Sequence, residues 1–300
     1  MDFYWSTYVQ DPELLYKTRA VRFHDGNKAS WLNLLKVKNG MDVLDVGCGS
    51  GVFCHRIKTY MPGVKITGLD FDTANIEYAR AKTAELGLDC AFVNGNAVDL
   101  PFDNGTFDLC YSQSVIDFCE PNAFIKEQYR VLKPGGEIVV LCHGTGVGSE
   151  TWEPTDDSEE KELYDRISAE AAKNESKQIK RYDSNVSNYF NYLHKNGFTN
   201  ISIDNMAFIS YAPDFYNVTY ETAIEQINAE RLVELSSVDK ARNLAPDCLS
   251  QEEFNVMLNM INRRFDTRIE KYKTGEKLWE YTAGAVLAIS GVKLQEAGIK

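Results

Sequence analysis

Five short apolar runs dominate the first half of this chain, each closed by a polar or small residue: "MDVLDVG", "VKITGLD", "CAFVNGN", "FDLCYSQS" and "GEIVVLCH", all within residues 41–143. Between them lie segments of helical length. Strands buried on both faces read as near-continuous apolar runs, and strands joined through a helix cross over right-handed and pair in parallel. The alternation therefore commits the chain to an α/β fold, a doubly wound and mainly parallel sheet with helices on both faces. Ligands of such sheets sit outside the carboxyl ends of the strands, so the residues that close the runs are the ones placed to carry chemistry.

The same reading extends along the chain. Residues 73–88 supply a connecting helix with Ile76, Ala79, Ala84 and Leu86 expected on its apolar face. Near the start, Asp11-Pro12 reads as an N-cap with proline at the first helical position, and 27–35 as a second short helix. Beyond 143, a glycine-rich and then acidic stretch reads as a solvated connection leading into a helix. Residues 197–210 read as a sixth strand and 278–293 as a seventh. Between those two, 214–277 reads as helical, with Ser250 and Glu253 at capping-box spacing and an apolar stripe from Phe254 to Tyr272.

Composition narrows the function classes. A chain of 300 residues that is 44% hydrophobic and 25% charged can bury a substantial core. Its net charge of −12 argues against a nucleic-acid partner, which would need a basic surface. No run approaches the roughly 18 apolar residues of a spanning helix, and the N-terminus lacks a basic region followed by an apolar one, so the expectation is a cytoplasmic protein without a membrane partner. The seven cysteines form no CxxC pair and several fall inside apolar runs, so they are expected as buried thiols, with no metal site.

The first run ends in "VLDVGCGSG", residues 43–51, where Gly47, Gly49 and Gly51 occupy alternate positions. A strand, a glycine-rich turn and a helix make a nucleotide-cofactor loop, but the spacing is GxGxG; the dinucleotide fingerprint would need a further glycine where Val52 stands. A buried turn with no ligand is the alternative for the loop taken alone. Asp70, closing the second run 19 residues after Gly51, weighs against it. A carboxylate there accepts hydrogen bonds from vicinal ribose hydroxyls, and Asp72 stands ready to cap the next helix, leaving Asp70 available.

Residues 41–142 resemble a class I S-adenosylmethionine-dependent methyltransferase of Rossmann-like fold. "VLDVGCGSG" is similar to that family's first motif, "GLDFD" to its acidic second-strand motif and "NGNAVDLPF" to its third. "FDLCYSQSVIDF" resembles the fourth-strand motif, and "EQYRVLKPGGEIVVL" the helix, turn and strand that follow. The resemblance implies S-adenosyl-L-methionine as cofactor, with Asp45 and the Gly47–Gly51 backbone along its amino-acid moiety and Asp70 on its ribose. It also implies Phe71 on the adenine, Asn96 and the Ala97 amide at the adenine edge, and the Ser112–Gln113 backbone near the methionine amine. Asn96 stands where the family commonly has Asp; Asp117-Phe118 stand where many small-molecule members carry histidine.

Methyl transfer is an in-line displacement, so alignment supplies most of the catalysis, and a base is needed only if the acceptor loses a proton. His143 and Asp117 are the candidates, with local hydrogen bonding and helix capping as their alternatives. Arg19 either folds over the cofactor carboxylate or lies on an exposed helix face. The domain reading is an N-terminal helical lid over 1–40, a cofactor-binding core over 41–142, a cap segment returning to the sheet over 143–200, and the last two of seven strands within 201–300, interrupted by a helical insertion at about 212–277. Aromatics including Trp152, Tyr182, Tyr189 and Tyr211 either line an acceptor pocket or pack the cap. The expected function is methyl transfer to a small-molecule acceptor; a cofactor-binding partner or regulatory protein without catalysis is the alternative.

Overall fold

A computed structural model describes residues 4–150, 158–178, 180–182 and 185–295. It divides into two compact units: a sheet unit of residues 23–145, 181–206 and 285–300, and a helical unit of residues 1–22, 146–180 and 207–284.

The strands are β1 (Asp42–Val46), β2 (Lys65–Asp70), β3 (Ala91–Asn94), β4 (Phe107–Gln113), β5 (Leu132–Glu150), β6 (Phe198–Tyr211) and β7 (Thr282–Lys293). They form one sheet in the order β3-β2-β1-β4-β5-β7-β6. Neighbours from β3 through β5 pair in parallel. The hydroxyl of Thr199 donates to the Val292 carbonyl, Ser202 meets Ser290, and Ser210 donates to the Thr282 carbonyl. Partners rising along β6 while falling along β7 make that pair antiparallel. The chain steps outward from β1 to β3, then returns to start β4 on the other side of β1. The strand order reverses between β1 and β4, which is where a doubly wound sheet opens a crevice at its carboxyl end.

In the sheet unit, α3 (Lys28–Leu34) precedes β1, and α4 (Val52–Tyr60), α5 (Thr73–Leu86) and α6 (Pro121–Val131) connect the parallel strands. Leu44, Val46 and Leu69 share a buried cluster with Phe124, Ile138 and Val140. The apolar face of α5 differs from the sequence expectation: Ala84 and Leu86 are exposed, and the buried residues are Asn75, Ile76, Ala79 and Thr83. Thr83 is admitted because its hydroxyl donates back to the Ala79 carbonyl and meets His55 Nε2 at 2.8 Å, which leaves no unpaired hydroxyl in the interface. Helix α8 (Val186–Lys195) adds Tyr189 and Leu193 to the same core.

In the helical unit, α7 (Ser158–Gln178), α9 (Tyr220–Leu244) and α10 (Gln251–Lys273) enclose Ile167, Tyr211, Ile227, Met257, Ile261 and Phe265. Both α1 (Trp5–Tyr8) and α2 (Pro12–Ala20) pack on α9. Asp11 caps α2 as its sequence position implied, and Ser250 with Glu253 closes the capping box of α10. Residues 144–150, expected as a loop, continue β5, and β7 begins four residues later than the apolar run suggested. The delay has a cause. Trp279 sits at φ 57°, outside the extended region, while Asp214 Oδ2 accepts from the amides of Leu278 and Trp279, each at 3.0 Å. Of the aromatics, Tyr189 and Tyr211 are core residues of their respective units, Tyr182 is half-buried, and Trp152 lies outside the described residues.

Candidate active site

The glycine loop turns directly out of β1. Gly47 and Gly51 have φ 78° and 82°, in the left-handed region, and neither has room for a side chain. A Cβ on Gly47 would stand 2.4 Å from a Val115 methyl, and one on Gly51 would stand 2.7 Å from the Phe92 ring. The loop amides are largely consumed within the protein. Gly47 and Cys48 donate to the Leu69 carbonyl at 2.7 and 2.9 Å, Gly49 donates to Asp70 Oδ2 at 2.8 Å, and Gly51 donates to the Cys48 carbonyl. A pyrophosphate cradle needs such amides turned toward the ligand. This loop instead presents a close, tied-down backbone, suited to a cofactor that carries no phosphate at this point.

Asp70 closes β2 beside that loop. Its other oxygen, Oδ1, accepts from the Asp72 amide at 2.9 Å, and Asp72 itself caps α5 by accepting from the Ala74 amide. Each oxygen of Asp70 thus holds one backbone donor, the Asn75 side chain also bonds the carboxylate, and its remaining acceptor capacity is left for a hydroxyl. Burial raises the Asp70 pKa, and the Asp72 and Gly49 amides oppose the rise. Asn94, which sequence reasoning passed over, donates from Nδ2 to the carbonyls of Asp70 and Phe71 and so fixes the turn that holds both. Phe71 presents an exposed ring at the strand end, as a stacking residue would. Asn96 is exposed and Ala97 buried; one lone pair of Asn96 Oδ1 accepts from the Val98 amide at 3.1 Å and the other is left for a donor.

On the other side of the strand reversal, Asp45 and Tyr111 are in-register neighbours on β1 and β4. Tyr111 Oη donates to Asp45 Oδ2 at 2.8 Å, and the Cys54 thiol donates to the same oxygen at 3.4 Å. Burial pushes the Asp45 carboxyl up to about 7, against the opposing pull of these two donors. Ser112 and Gln113 end β4, where Ser112 Oγ is buried without a hydrogen-bond partner among the described residues and Ser114 turns into the left-handed region at φ 55°. The structure therefore gathers Asp45, the glycine loop, Asp70, Phe71, Asn96, Ala97, Ser112 and Gln113 at the carboxyl ends of adjoining strands of the sheet unit.

The two candidate bases fare differently. Asp117, in a short 3-10 turn after β4, accepts from Tyr189 Oη at 2.5 Å through Oδ1, and its carbonyl accepts from the Tyr182 amide at 2.7 Å. It ties α8 and the segment before it to the end of β4. His143 follows Cys142 on β5, and its side chain lies outside the described residues. Arg19 belongs to α2 in the helical unit. Burial, and secondarily the like charge of Arg22, lowers its pKa to about 9, and its guanidinium has no ion pair or hydrogen bond among the described residues. Sequence reasoning missed the roles of Tyr111, Cys54 and Asn94, and placed Tyr189 only among the aromatics of a pocket or cap. Only Tyr111 left a usable trace, as a polar aromatic inside the run whose neighbour strand carries Asp45. Among the described residues there is no cluster of His, Cys, Asp and Glu fit for a metal, and no helix is long and apolar enough to cross a membrane.

Comparison with known proteins bears on this geometry. Demethylmenaquinone methyltransferase of Thermus thermophilus is 35% identical over 100 residues, 33% of this chain and 46% of that protein. The protein of the same name from Lactococcus lactis is 33% identical over 121 residues, 39% of this chain and 48% of that protein. The chain thus spans about half the length of the curated relatives it matches. The solved structure of Haemonchus contortus phosphoethanolamine N-methyltransferase 2 with S-adenosyl-L-methionine shares the fold at 18% identity and TM-score 0.54, covering 97% of this chain and 59% of that one. The family model described as a methyltransferase domain matches residues 37–212, more than half of the chain and the whole of the site above. On that match the chain belongs to the class I S-adenosylmethionine-dependent methyltransferases.

Proposed function

We propose that this protein transfers the methyl group of S-adenosylmethionine to a small-molecule acceptor. The observation that carries the reading is the pairing of a loop whose amides are spent inside the protein with a strand-end carboxylate that keeps acceptor capacity. When bound, the cofactor supplies a methyl group on a sulfonium, which an acceptor atom displaces in line. The protein's part is to hold the two in alignment and to keep water away. Asp70 accepts from the ribose hydroxyls, Phe71 covers one face of the adenine, and Asn96 with the Ala97 amide meets its edge. Asp45 and the Gly47–Gly51 backbone lie along the amino-acid moiety, with Ser112 and Gln113 opposite. Asp117 holds Tyr189, which leaves His143 as the base to test if the acceptor must lose a proton.

The acceptor class is supported by the relatives, whose names point to a quinone precursor and to phosphoethanolamine, and by the net charge of −12, which disfavours a nucleic-acid substrate. Incubating the protein with methyl-labelled cofactor and a fractionated metabolite extract, with demethylmenaquinone and phosphoethanolamine as separate trials, tests it. Label is expected in the low-molecular-weight fraction. Label confined to added protein or nucleic acid, or no transfer at all, would contradict the reading.

A further inference from the structure

Among the described residues Asp45 accepts only from side chains, and its surroundings are unusual. It is buried, and no Lys, Arg or His among the described residues pairs with it. The titratable groups facing it are Asp70 from β2, Cys48 from the loop, Cys54 from α4 and Tyr111 from β4. None of these is a cation. Burial holds the Cys48, Cys54 and Tyr111 protons on well above their ordinary range, so the last two act as neutral donors. Both donors point at the same atom, Oδ2. Oδ1 is left as the oxygen that can take a proton or meet a positive group, and it cannot do both.

We propose that the cofactor's positive charge and a proton compete for Asp45 Oδ1, and that Tyr111 and Cys54 are positioning residues that hold Asp45 as the carboxylate the cofactor requires. The inference rests on the cofactor assignment made above and goes beyond it, to two residues that act through Asp45 and to a linkage between cofactor binding and pH. The cation is either the α-ammonium, present in both the cofactor and its demethylated product, or the sulfonium, present only in the cofactor. The physical logic is the same for both. A buried carboxyl gives up its proton only when donors or a cation stabilise the charge, so each unit of pH below its pKa costs about a factor of ten in the binding-competent form.

The test is isothermal calorimetry of the intact protein with S-adenosylmethionine and, separately, S-adenosylhomocysteine, from about pH 5.5 to about pH 7.5, below the midpoint at which a free α-amino group titrates. Affinity should rise with pH and level off. In Tyr111→Phe the rising limb should move to higher pH, giving a loss of about tenfold at the acid end that closes toward the alkaline end. Cys54→Ala should move it the same way by less. The shift of the profile is the diagnostic, because neither substitution removes a hydrogen bond from Asp70 or alters the ligand. A rise seen with both ligands assigns the cation as the ammonium; a rise with S-adenosylmethionine alone assigns it as the sulfonium. Wild-type affinity that is flat across the range, or a Tyr111→Phe loss of equal size at every pH, would overturn the proposal and leave the cofactor assignment standing. No binding of either ligand at any pH would overturn both.

Discussion

Asp70 shows what a single residue has to do in this site. Its carboxylate ties the Gly49 amide to the end of β2 and, in the proposed function, accepts from the ribose as well. Replacing it removes a charged acceptor, worth roughly 1.5–3 kcal/mol for each hydrogen bond of this kind. Asp70→Ala should therefore weaken S-adenosylhomocysteine binding by about tenfold or more while the circular dichroism spectrum keeps its native form. An unchanged dissociation constant in the folded variant would reduce Asp70 to a loop anchor. Asp45 and Asp70 were legible in the sequence because a strand end is a local feature: an apolar run stops at a carboxylate. Tyr111, Cys54 and Asn94 were not, because their roles depend on which strand lies beside which. The pairing of Asp45 with Tyr111 joins positions 66 apart in sequence. The same limit applies to Asp117, a candidate base or helix cap by sequence, whose partner Tyr189 comes from α8.

Among the elements, the connection from α10 into β7 departs most from its sequence pattern. The run "LWEYTAGAVL" has the composition of a strand, yet its first residues are bent by a buried ion pair. Arg268, on the inward stripe of α10, donates to Asp214 Oδ2 at 2.7 Å and to Glu280 Oε2 at 2.7 Å, and Tyr211 Oη donates to that Glu280 oxygen as well. Asp214 is fully buried and Arg268 is 3% exposed, so neither charge has water to fall back on. The stripe read from Phe254 to Tyr272 could not reveal this, because an arginine in an apolar row looks like a break in the row rather than its anchor. Removing Asp214 leaves Arg268 with Glu280 alone and unpairs the Leu278 and Trp279 amides; breaking a buried pair costs up to about 3–5 kcal/mol. Asp214→Ala should lower the urea midpoint of the helical unit accordingly. A midpoint within error of wild type would mean that the bonds of Asp214 Oδ2 to Arg268, Leu278 and Trp279 are dispensable. Strand alternation, by contrast, was readable through β5, because the central strands β1 and β4 are largely buried and helices link β1 to β2, β2 to β3 and β4 to β5; the helical unit has no such repeat.

At the scale of the whole molecule, the sequence separates into a half whose pattern declares its fold and a half whose pattern does not. Residues 41–142 hold the parallel strands, the glycine loop and the strand-end acids in one unit, while the N-terminal helices α1 and α2 pack with the later helices rather than forming a segment of their own. The central claim concerns the first half: its loop and its acidic strand end make a site for a sulfonium cofactor without phosphate, and not for a dinucleotide. Calorimetric titration of the purified protein at neutral pH with S-adenosylmethionine, S-adenosylhomocysteine and NAD compares the alternatives directly. The account predicts saturable binding of the first two in the micromolar range, about −8 kcal/mol, and no measurable heat from NAD beyond dilution. Binding of NAD as tight as or tighter than that of S-adenosylmethionine would contradict it.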